Sequence, residues 1–417
     1  MKQMTEKKQN APQVEVMTGN HAAAEACKMA RVQVVGFFPI GPSDEVGETL
    51  VQMINRGELD GRVVDLQNER SVVNAQIVAT QSGIRSSFAT NSEGIVFAYQ
   101  PLFWAAYGRA PIVVHVAHRA MEPPTTIVSD DHDTIIFRDT HWMQFYCENA
   151  QDVFDTTLQA YRVAEDHEVL LPAFVTYAGW EVSHATYPLS LPTQEQVDSY
   201  LPPYQVPPGS DPLTVDIQDL YGHPRAGMEG WWSNYMALRG KIDHALNVTA
   251  KEKLREAHKE FQKIFGRGYG GLAETYETED AEVVLTVMGN VATVARQTVD
   301  MLRADGHKVG MLKIRTLRPF PLEETREACA RARVVIALDR NPVYTLFQEL
   351  RSSLYGRENP PMVLGRVIAL GGRSFSIYDM REIALEGVEA ARTGRGEEIS
   401  WRYHTTTDGK DQEHGAG

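Results

Sequence analysis

The stretch Val32-Gln33-Val34-Val35-Gly36-Phe37-Phe38-Pro39-Ile40-Gly41-Pro42-Ser43-Asp44-Glu45 runs from an apolar, β-branched segment through a proline-stiffened loop into a helix start. Val32–Gly36 predicts a buried strand, and Pro42–Arg56 has the length and composition of a helix. Pro39 and Pro42 each fix a φ angle, while Ser43 or Asp44 is suited to cap the adjoining helix. A strand that passes into a helix in this way is half of a βαβ unit, and open sheets of that kind take ligands outside the carboxyl ends of their strands. By itself, the loop reads equally well as an ordinary rigid turn.

The same alternation spreads outward. Arg62–Leu66, Ile84–Ala89, Ile112–Val116 and Val169–Thr176 read as further strands, with helix-length segments such as Gln151–Glu165 between them. Strand, crossover helix and strand in succession predict a parallel sheet covered on both faces. This first α/β domain is expected over residues 14–240. From Leu191 to Gly230 the pattern breaks, and Pro202, Pro203, Pro207 and Pro208 forbid regular structure there. Lys241–Phe265 carries helix formers and alternating charge, and the glycines of Gly266–Gly271 stop it. That cluster lacks the Gly-Lys-Ser/Thr ending of a phosphate loop and no strand precedes it, so 241–271 reads as a connecting helix and hinge. A second α/β pattern occupies 272–404: strands Val283–Met288, Lys308–Ile314, Val334–Leu338 and Val363–Leu370, with helices Val291–Ala304 and Leu322–Ala330. This predicts a doubly wound domain. The polar stretch 405–417 reads as a flexible tail.

The bulk properties narrow the function classes. A chain of 417 residues with 43% hydrophobic content exceeds what one core usually serves, roughly 250 to 300 residues, so two domains are expected. A formal net charge of −14 repels phosphate backbones and anionic lipid, which argues against nucleic acid and membrane partners. Cys27, Cys147 and Cys329 are too scattered for a zinc or iron–sulfur site and read as reduced, buried thiols. The first sixteen residues lack the apolar core of a signal peptide, and no uncharged apolar run reaches about 20 residues, so a cytoplasmic location is expected.

Four stretches together resemble the α subunit, or first two domains, of pyruvate:ferredoxin oxidoreductase and its relatives. Gly19-Asn20-His21-Ala22 leads to Phe38-Pro39-Ile40-Gly41-Pro42-Ser43, where the family has Gly-Asn-x-Ala and Tyr-Pro-Ile-Thr-Pro-Ser. Asn68-Glu69-Arg70-Ser71 supplies a glutamate after the next strand. His115-Val116-Ala117-His118-Arg119-Ala120 is similar to a family strand ending in arginine, and Asp131-His132-Asp133 to its Asp-His-Ser-Asp loop. Leu317-Arg318-Pro319-Phe320-Pro321 places the second domain with the transketolase C-terminal type. The resemblance covers nearly the whole chain. It implies α/β architecture: a thiamine-diphosphate-binding, pyrimidine-type parallel-sheet domain followed by a transketolase C-terminal-like doubly wound domain.

It also implies roles. Glu69 is the expected catalytic and cofactor-binding residue, since thiamine chemistry needs a carboxyl bonded to the aminopyrimidine ring to promote loss of the thiazolium C2 proton. Without the resemblance, Glu69 reads as a first-turn glutamate favouring the helix dipole or paired to Arg70. Arg119 presents a planar fork matched to a carboxylate and is expected to hold that of a 2-oxoacid, although strand-end arginines commonly make surface ion pairs. Phe38, Ile40, Gly41 and His132 are expected to line the substrate side, and Pro39 the cofactor. Asp130–Asp133 has the composition of a metal loop, but consecutive residues cannot all point inward, so no metal is assigned to this chain. The aromatic run Phe97, Tyr99, Phe103, Trp104 and Tyr107 reads as helix core.

No Gly-Asp-Gly…Asn signature for diphosphate and Mg²⁺ occurs. The resemblance therefore implies a β subunit carrying that half-site, γ and ferredoxin-like iron–sulfur subunits, and coenzyme A as co-substrate. Phe38 and Gly41 replace the family's tyrosine and threonine, which removes two hydroxyls and enlarges the pocket. This points to an aromatic 2-oxoacid, as in phenylglyoxylate dehydrogenases, which form benzoyl-CoA, CO₂ and NADH and would add an NAD-reducing flavoprotein subunit. Pyruvate or a branched-chain 2-oxoacid with ferredoxin is the alternative, and a non-catalytic assembly subunit is the alternative of another class.

Overall fold

The computed structural model describes residues 13–124, 126–207 and 227–402. Residues 1–12, the middle of the proline-rich connection and the chain from residue 403, which takes in the tail expected at 405–417, lie outside the described residues. The chain divides into two compact units. One runs through Glu274 and includes Ile314–Pro321; the other comprises Thr275–Lys313 and the chain from Leu322 onward.

The elements of the first unit are, in order, β1 (Gln13–Thr18), α1 (Gly19–Met29), β2 (Val34–Phe37), α2 (Asp44–Asn55), β3 (Arg62–Asp65), α3 (Glu69–Gln81), β4 (Ser86–Thr90), α4 (Ser92–Phe97), α5 (Tyr99–Tyr107), β5 (Val113–His118), α6 (His132–Ile135), β6 (Met143–Tyr146), α7 (Ala150–Ala164), β7 (Ala173–Ala178), β8 (Thr186–Leu191), α8 (Gln194–Tyr200), α9 (Gly227–His244) and α10 (Ala250–Phe265). Short polar caps set several helix starts: Asn68 Oδ1 accepts from Ser71 N at 2.9 Å and Asn149 Oδ1 from Asp152 N at 3.0 Å. The chain then continues with β9 (Ala273–Tyr276), β10 (Val283–Val287), α11 (Val291–Ala304), β11 (Val309–Ile314), β12 (Thr316–Arg318), α12 (Leu322–Ala328), β13 (Val334–Asp339), α13 (Thr345–Leu354), β14 (Met362–Val367), α14 (Ile377–Thr393) and β15 (Ile399–Trp401), of which β12 belongs to the first unit and its sheet.

The first sheet has the order β12-β6-β7-β5-β4-β2-β3, parallel except for β12. Period-two burial makes it two-faced. Val113 and Ala117 of β5 enter the core beneath α1 and α7, whereas Val114 and Val116 enter a second core beneath α3, α4 and α5. From β2 the chain moves to β3 at the edge and then crosses back to β4, so the order reverses between β2 and β4. Parallel sheets open a ligand crevice at such a point.

Leu317-Arg318-Pro319 departs from its expected place in the second domain. Thr316 and Arg318 pair antiparallel with Phe145 and Gln144, which extends the first sheet. The buried side chains of Thr316 and Leu317 account for the pairing. Lys241–Phe265 likewise spans the end of α9, a π-helical turn (Ala245–Thr249) and α10, and Leu254, Ala257 and Phe261 are packed into the first core, so the segment is more than a connector.

In the second unit, the sheet order is β15-β14-β13-β10-β11-β9, with β10, β11, β13, β14 and β15 parallel to their neighbours in that set. Strands β10, β11 and β13 are buried along their whole length, as their apolar runs predict.

Candidate active site

The loop after β2 is fixed at both ends by buried polar residues. Ser43 Oγ donates to Thr90 O at 2.9 Å and accepts from Ala117 N and Asn91 Nδ2, each at 3.0 Å. One hydroxyl thus ties the β2 loop to the ends of β4 and β5. Ser43 makes no side-chain cap for α2, contrary to the simplest reading of its position. Asn20 Nδ2 donates to Pro42 O at 2.8 Å, and Asn20 Oδ1 accepts from Tyr177 OH at 2.9 Å. This gives the Gly-Asn-x-Ala segment a physical purpose: its asparagine supports the loop from below, and Gly19 fits because a Cβ there would stand 2.6 Å from Val182 O.

Glu69 opens α3, capped by Asn68, and is 5% exposed. The helix dipole at this position favours a charged carboxylate by about 0.3–1 kcal/mol, but burial opposes it and is the larger influence. The pKa is accordingly raised above the ordinary glutamate value, with the residue's own amide the opposing hydrogen bond. Arg70, the partner that the sequence offered, bonds instead to Gln100 Oε1 at 3.0 Å. Beside the carboxyl lies Gly94, where a Cβ would stand 2.6 Å from Glu69 Oε1 and 2.4 Å from Thr90 Oγ1. A glycine in the middle of the six-residue α4 is what admits the carboxyl to the end of β4. This carboxyl, its pKa raised by burial and its place close to the β2/β4 crossover, would suit the ring-nitrogen partner that an aminopyrimidine requires.

Arg119 stands just after β5. Its Nη1 donates to Gly41 O at 3.1 Å and its Nη2 to Glu122 Oε1 at 2.8 Å, while its buried Nε has no acceptor among the described residues. The guanidinium therefore adjoins the loop expected to face the substrate. Pro39 is exposed; Ile40 and Gly41 are half-buried. Phe38 packs against the apolar cluster beneath α3 and α5 together with Leu66 and Ile77, so much of its ring belongs to the core. His132 is half-buried on α6, and its amide bonds to Asp130 Oδ1 at 2.9 Å. In that loop the substantial contribution comes from Asp133, fully buried, whose Oδ2 accepts from Ser92 N and Arg119 N and whose Oδ1 lies 2.6 Å from His118 Nδ1. The acids of this loop serve backbone amides and histidine, and among the described residues no group of three or more His, Cys, Asp or Glu is placed to hold a metal ion.

Two other groupings resemble sites and differ in kind. Cys27, Ser87, His115 and Thr157 form a hydrogen-bonded chain with contacts of 3.0–3.3 Å. Burial pushes the Cys27 thiol up to about 12 and the His115 imidazole down to about 3, so neither thiolate nor imidazolium is available near neutrality. The aromatic run contradicts its reading as helix core: Phe97, Tyr99 and Trp104 are 56%, 45% and 54% exposed. On α5 the apolar core positions are taken by Leu102, Ala105 and Ala106, which turns the larger rings outward. Asp133 entered the sequence reading only as part of the Asp130–Asp133 loop, and Gly94 not at all; a glycine within a helical pattern next to a predicted strand end was the available signal.

Comparison with known proteins bears on the whole chain. A family model described as pyruvate flavodoxin/ferredoxin oxidoreductase, thiamine diphosphate-binding, matches residues 25–262, and one described as pyruvate:ferredoxin oxidoreductase core domain II matches residues 281–380. Pyruvate synthase subunit PorA of Pyrococcus furiosus is 36% identical over 392 residues, covering 93% of this chain and 96% of that protein. Ketoisovalerate oxidoreductase subunit VorA of Pyrococcus horikoshii is 36% identical over 398 residues, covering 94% and 98%. Among solved structures, 2-oxoglutarate:ferredoxin oxidoreductase from Magnetococcus marinus, with 2-oxoglutarate, coenzyme A and succinyl-CoA bound, shares the fold with a TM-score of 0.71 at 17% identity, over 90% of this chain and 66% of that one. A split-gene transketolase, an inactive beta4 tetramer, matches with a TM-score of 0.55 at 11% identity, over 89% and 98%.

Proposed function

This chain belongs to the 2-oxoacid:ferredoxin oxidoreductase family as an α subunit, and from that premise we propose that it supplies the pyrimidine-side half of a thiamine diphosphate site for CoA-dependent oxidative decarboxylation of an aliphatic 2-oxoacid. The substrate is pyruvate or a branched-chain 2-oxoacid such as ketoisovalerate, with ferredoxin receiving the electrons. The relatives' names carry neither an aromatic substrate nor NAD, so the phenylglyoxylate reading gives way to the aliphatic alternative, and an NAD-reducing flavoprotein partner has no support.

The observation that carries the proposal is the buried Glu69 carboxyl beside Gly94 at the β2/β4 crossover, with its pKa raised by burial. Thiamine diphosphate, held on its aminopyrimidine side by Glu69, would supply a nucleophilic carbon and an electron sink for decarboxylation. Glu69 would hold a proton against the aminopyrimidine ring, and Arg119 would orient the substrate carboxylate with the guanidinium edge not spent on Gly41 and Glu122. The β2 loop, held by Ser43 and Asn20, meets the Arg119 guanidinium at Gly41 O. The diphosphate and its Mg²⁺ fall to a β subunit, and iron–sulfur clusters to further partners.

The test is turnover by the assembled complex on pyruvate, ketoisovalerate and phenylglyoxylate, each with CoA and either ferredoxin or NAD⁺. An aliphatic acid with ferredoxin should give the highest kcat/KM, and Glu69→Gln should lower it by roughly 10²- to 10⁴-fold with the complex intact. Preference for phenylglyoxylate with NAD⁺ would restore the aromatic reading. An unchanged Glu69→Gln rate would remove the catalytic assignment itself.

A further inference from the structure

We propose that Asp133 is a positioning residue for the substrate arginine: it locks Arg119 to the turn that cradles Glu69. This inference rests on the functional reading given above. Asp133 lies on α6, outside the strands that frame the crevice, yet its fully buried carboxylate reaches the ends of two of them. Oδ2 accepts from Ser92 N at 3.2 Å, at the turn after β4, and from Arg119 N at 3.1 Å, after β5. Oδ1 lies 2.6 Å from Nδ1 of the buried His118. That imidazole is itself held: its ring stacks on Tyr146 with centroids 5.5 Å apart, and its Nε2 lies 3.8 Å from Asp131 Oδ1.

Both segments that Asp133 grips lead directly to the proposed chemistry. Two residues beyond Ser92 stands Gly94, against the Glu69 carboxyl. The side chain of Arg119, whose amide Asp133 holds, reaches Gly41 O. Ser92 has φ of +42°, a conformation that a serine adopts only when its surroundings hold it there, and its Oγ adds a parallel tie to Ala120 O at 2.8 Å. A carboxylate suits this point because one oxygen serves two amides while the other serves a ring nitrogen. An asparagine could keep the amide bonds through its oxygen and present its NH₂ to a neutral His118. Alanine would lose all three.

Steady-state kinetics on the assembled complex test this. Asp133→Ala should raise KM for the 2-oxoacid by about 10- to 100-fold, the scale of a small misplacement, with a much smaller change in kcat. Asp133→Asn should recover most of that loss. Ser92→Ala, which cuts only the parallel tie, should raise KM in the same direction by a smaller factor and decides the matter if Asp133→Ala does not assemble. Unchanged KM in Asp133→Ala, or in Ser92→Ala where the former is lost, overturns the positioning role. So does a loss of activity that tracks thermal stability alone. Glu69→Gln, run in parallel, separates the two layers: if it too leaves turnover intact, the functional reading has failed; if it abolishes turnover while KM stays fixed in the Asp133 variants, only the positioning role has failed.

Discussion

A Cβ at position 94 would stand 2.6 Å from Glu69 Oε1, closer than real side chains approach, so the carboxyl keeps its place only because residue 94 is glycine. Gly94→Ala should therefore leave the sheet intact, at an overpacking cost of about 1–3 kcal/mol, and push the carboxyl out of position. The expected outcome is a fall in kcat of roughly 10- to 100-fold in a complex that still assembles, with turnover near wild type counting against Glu69 as the working group. Gly41 makes the opposite case. Its φ is not in the left-handed region, and the nearest obstacle to a Cβ is the Asp44 carboxylate at 3.7 Å, an ordinary contact. Gly41→Thr should thus be tolerated by the backbone and, if the position faces the acyl group, should raise the kcat/KM ratio of pyruvate over ketoisovalerate by an amount worth roughly 1–3 kcal/mol. Gly41→Ala controls for the backbone. A ratio that does not move with threonine removes Gly41 from the pocket. Glu69 and Arg119 stood out in sequence as candidates because each sits at a strand or helix end with a family motif around it. Gly94 and the partners of Asp133 did not, because they come from segments elsewhere along the chain that folding brings within hydrogen-bond range.

Elements with a strong hydrophobic pattern emerged where the sequence placed them: the helix expected at Val291–Ala304 has those bounds, and the strand expected at Val334–Leu338 is β13 (Val334–Asp339). β6, Met143-Gln144-Phe145-Tyr146, escaped because it has no β-branched residue and its buried glutamine breaks the apolar run; Gln144 Nε2 meets Thr134 O at 2.9 Å. The glycine-rich stretch after α10 read as a hinge, and Gly266 does end the helix at φ +73°. The residues beyond Gly266 are tethered: Arg267 makes two bonds of 2.6 Å to the buried Asp155, and Tyr269 OH adds another of 2.6 Å. No local pattern announces a partner so far away in sequence. In the second unit, Asp339 shows a burial effect that pH can expose. It accepts from Leu346 N at 2.8 Å and Phe347 N at 3.0 Å at the start of α13, yet burial pushes its pKa up to about 6 from 3.8. Between these two values the folded chain therefore holds a proton that the unfolded chain has lost. Its contribution to stability is fully present below about pH 3.8 and is lost as pH rises through about 6, with up to roughly 3 kcal/mol at stake. Urea denaturation between pH 4 and 7 should show wild type losing stability relative to Asp339→Asn as pH rises; parallel curves would mean that Asp339 does not titrate in this window.

At the scale of the whole molecule, the proposal is that this chain supplies half of a site. Order and spacing of the motifs pointed to a thiamine-dependent 2-oxoacid oxidoreductase, while the acyl substrate could not be read from two loop substitutions, since Phe38 is largely taken up by core packing. The proposed split has a measurable consequence. Thiamine diphosphate is anchored chiefly through a diphosphate and its divalent cation, and this chain has neither the Gly-Asp-Gly…Asn signature nor, among its described residues, a cluster of potential metal ligands. Its net charge of −14 adds long-range repulsion toward an anionic cofactor. On the proposed reading this chain would offer the cofactor chiefly the Glu69 carboxyl, and one hydrogen bond contributes only about 1 kcal/mol net, or 1.5–3 when charged, far below the roughly 8 kcal/mol of micromolar affinity. The chain expressed alone should therefore bind thiamine diphosphate no more tightly than about the millimolar range by calorimetry, with no response to Mg²⁺. Its melting temperature should not move when cofactor and Mg²⁺ are added, because a ligand stabilises only as far as its concentration exceeds its Kd. Adding the β subunit should restore Mg²⁺-dependent binding, and Glu69→Gln in that pair should weaken it by no more than about the 1.5–3 kcal/mol of a charge-assisted bond. Micromolar, Mg²⁺-dependent binding by the isolated chain would mean that the diphosphate end is held by residues that carry no recognisable motif, and the site would not be split.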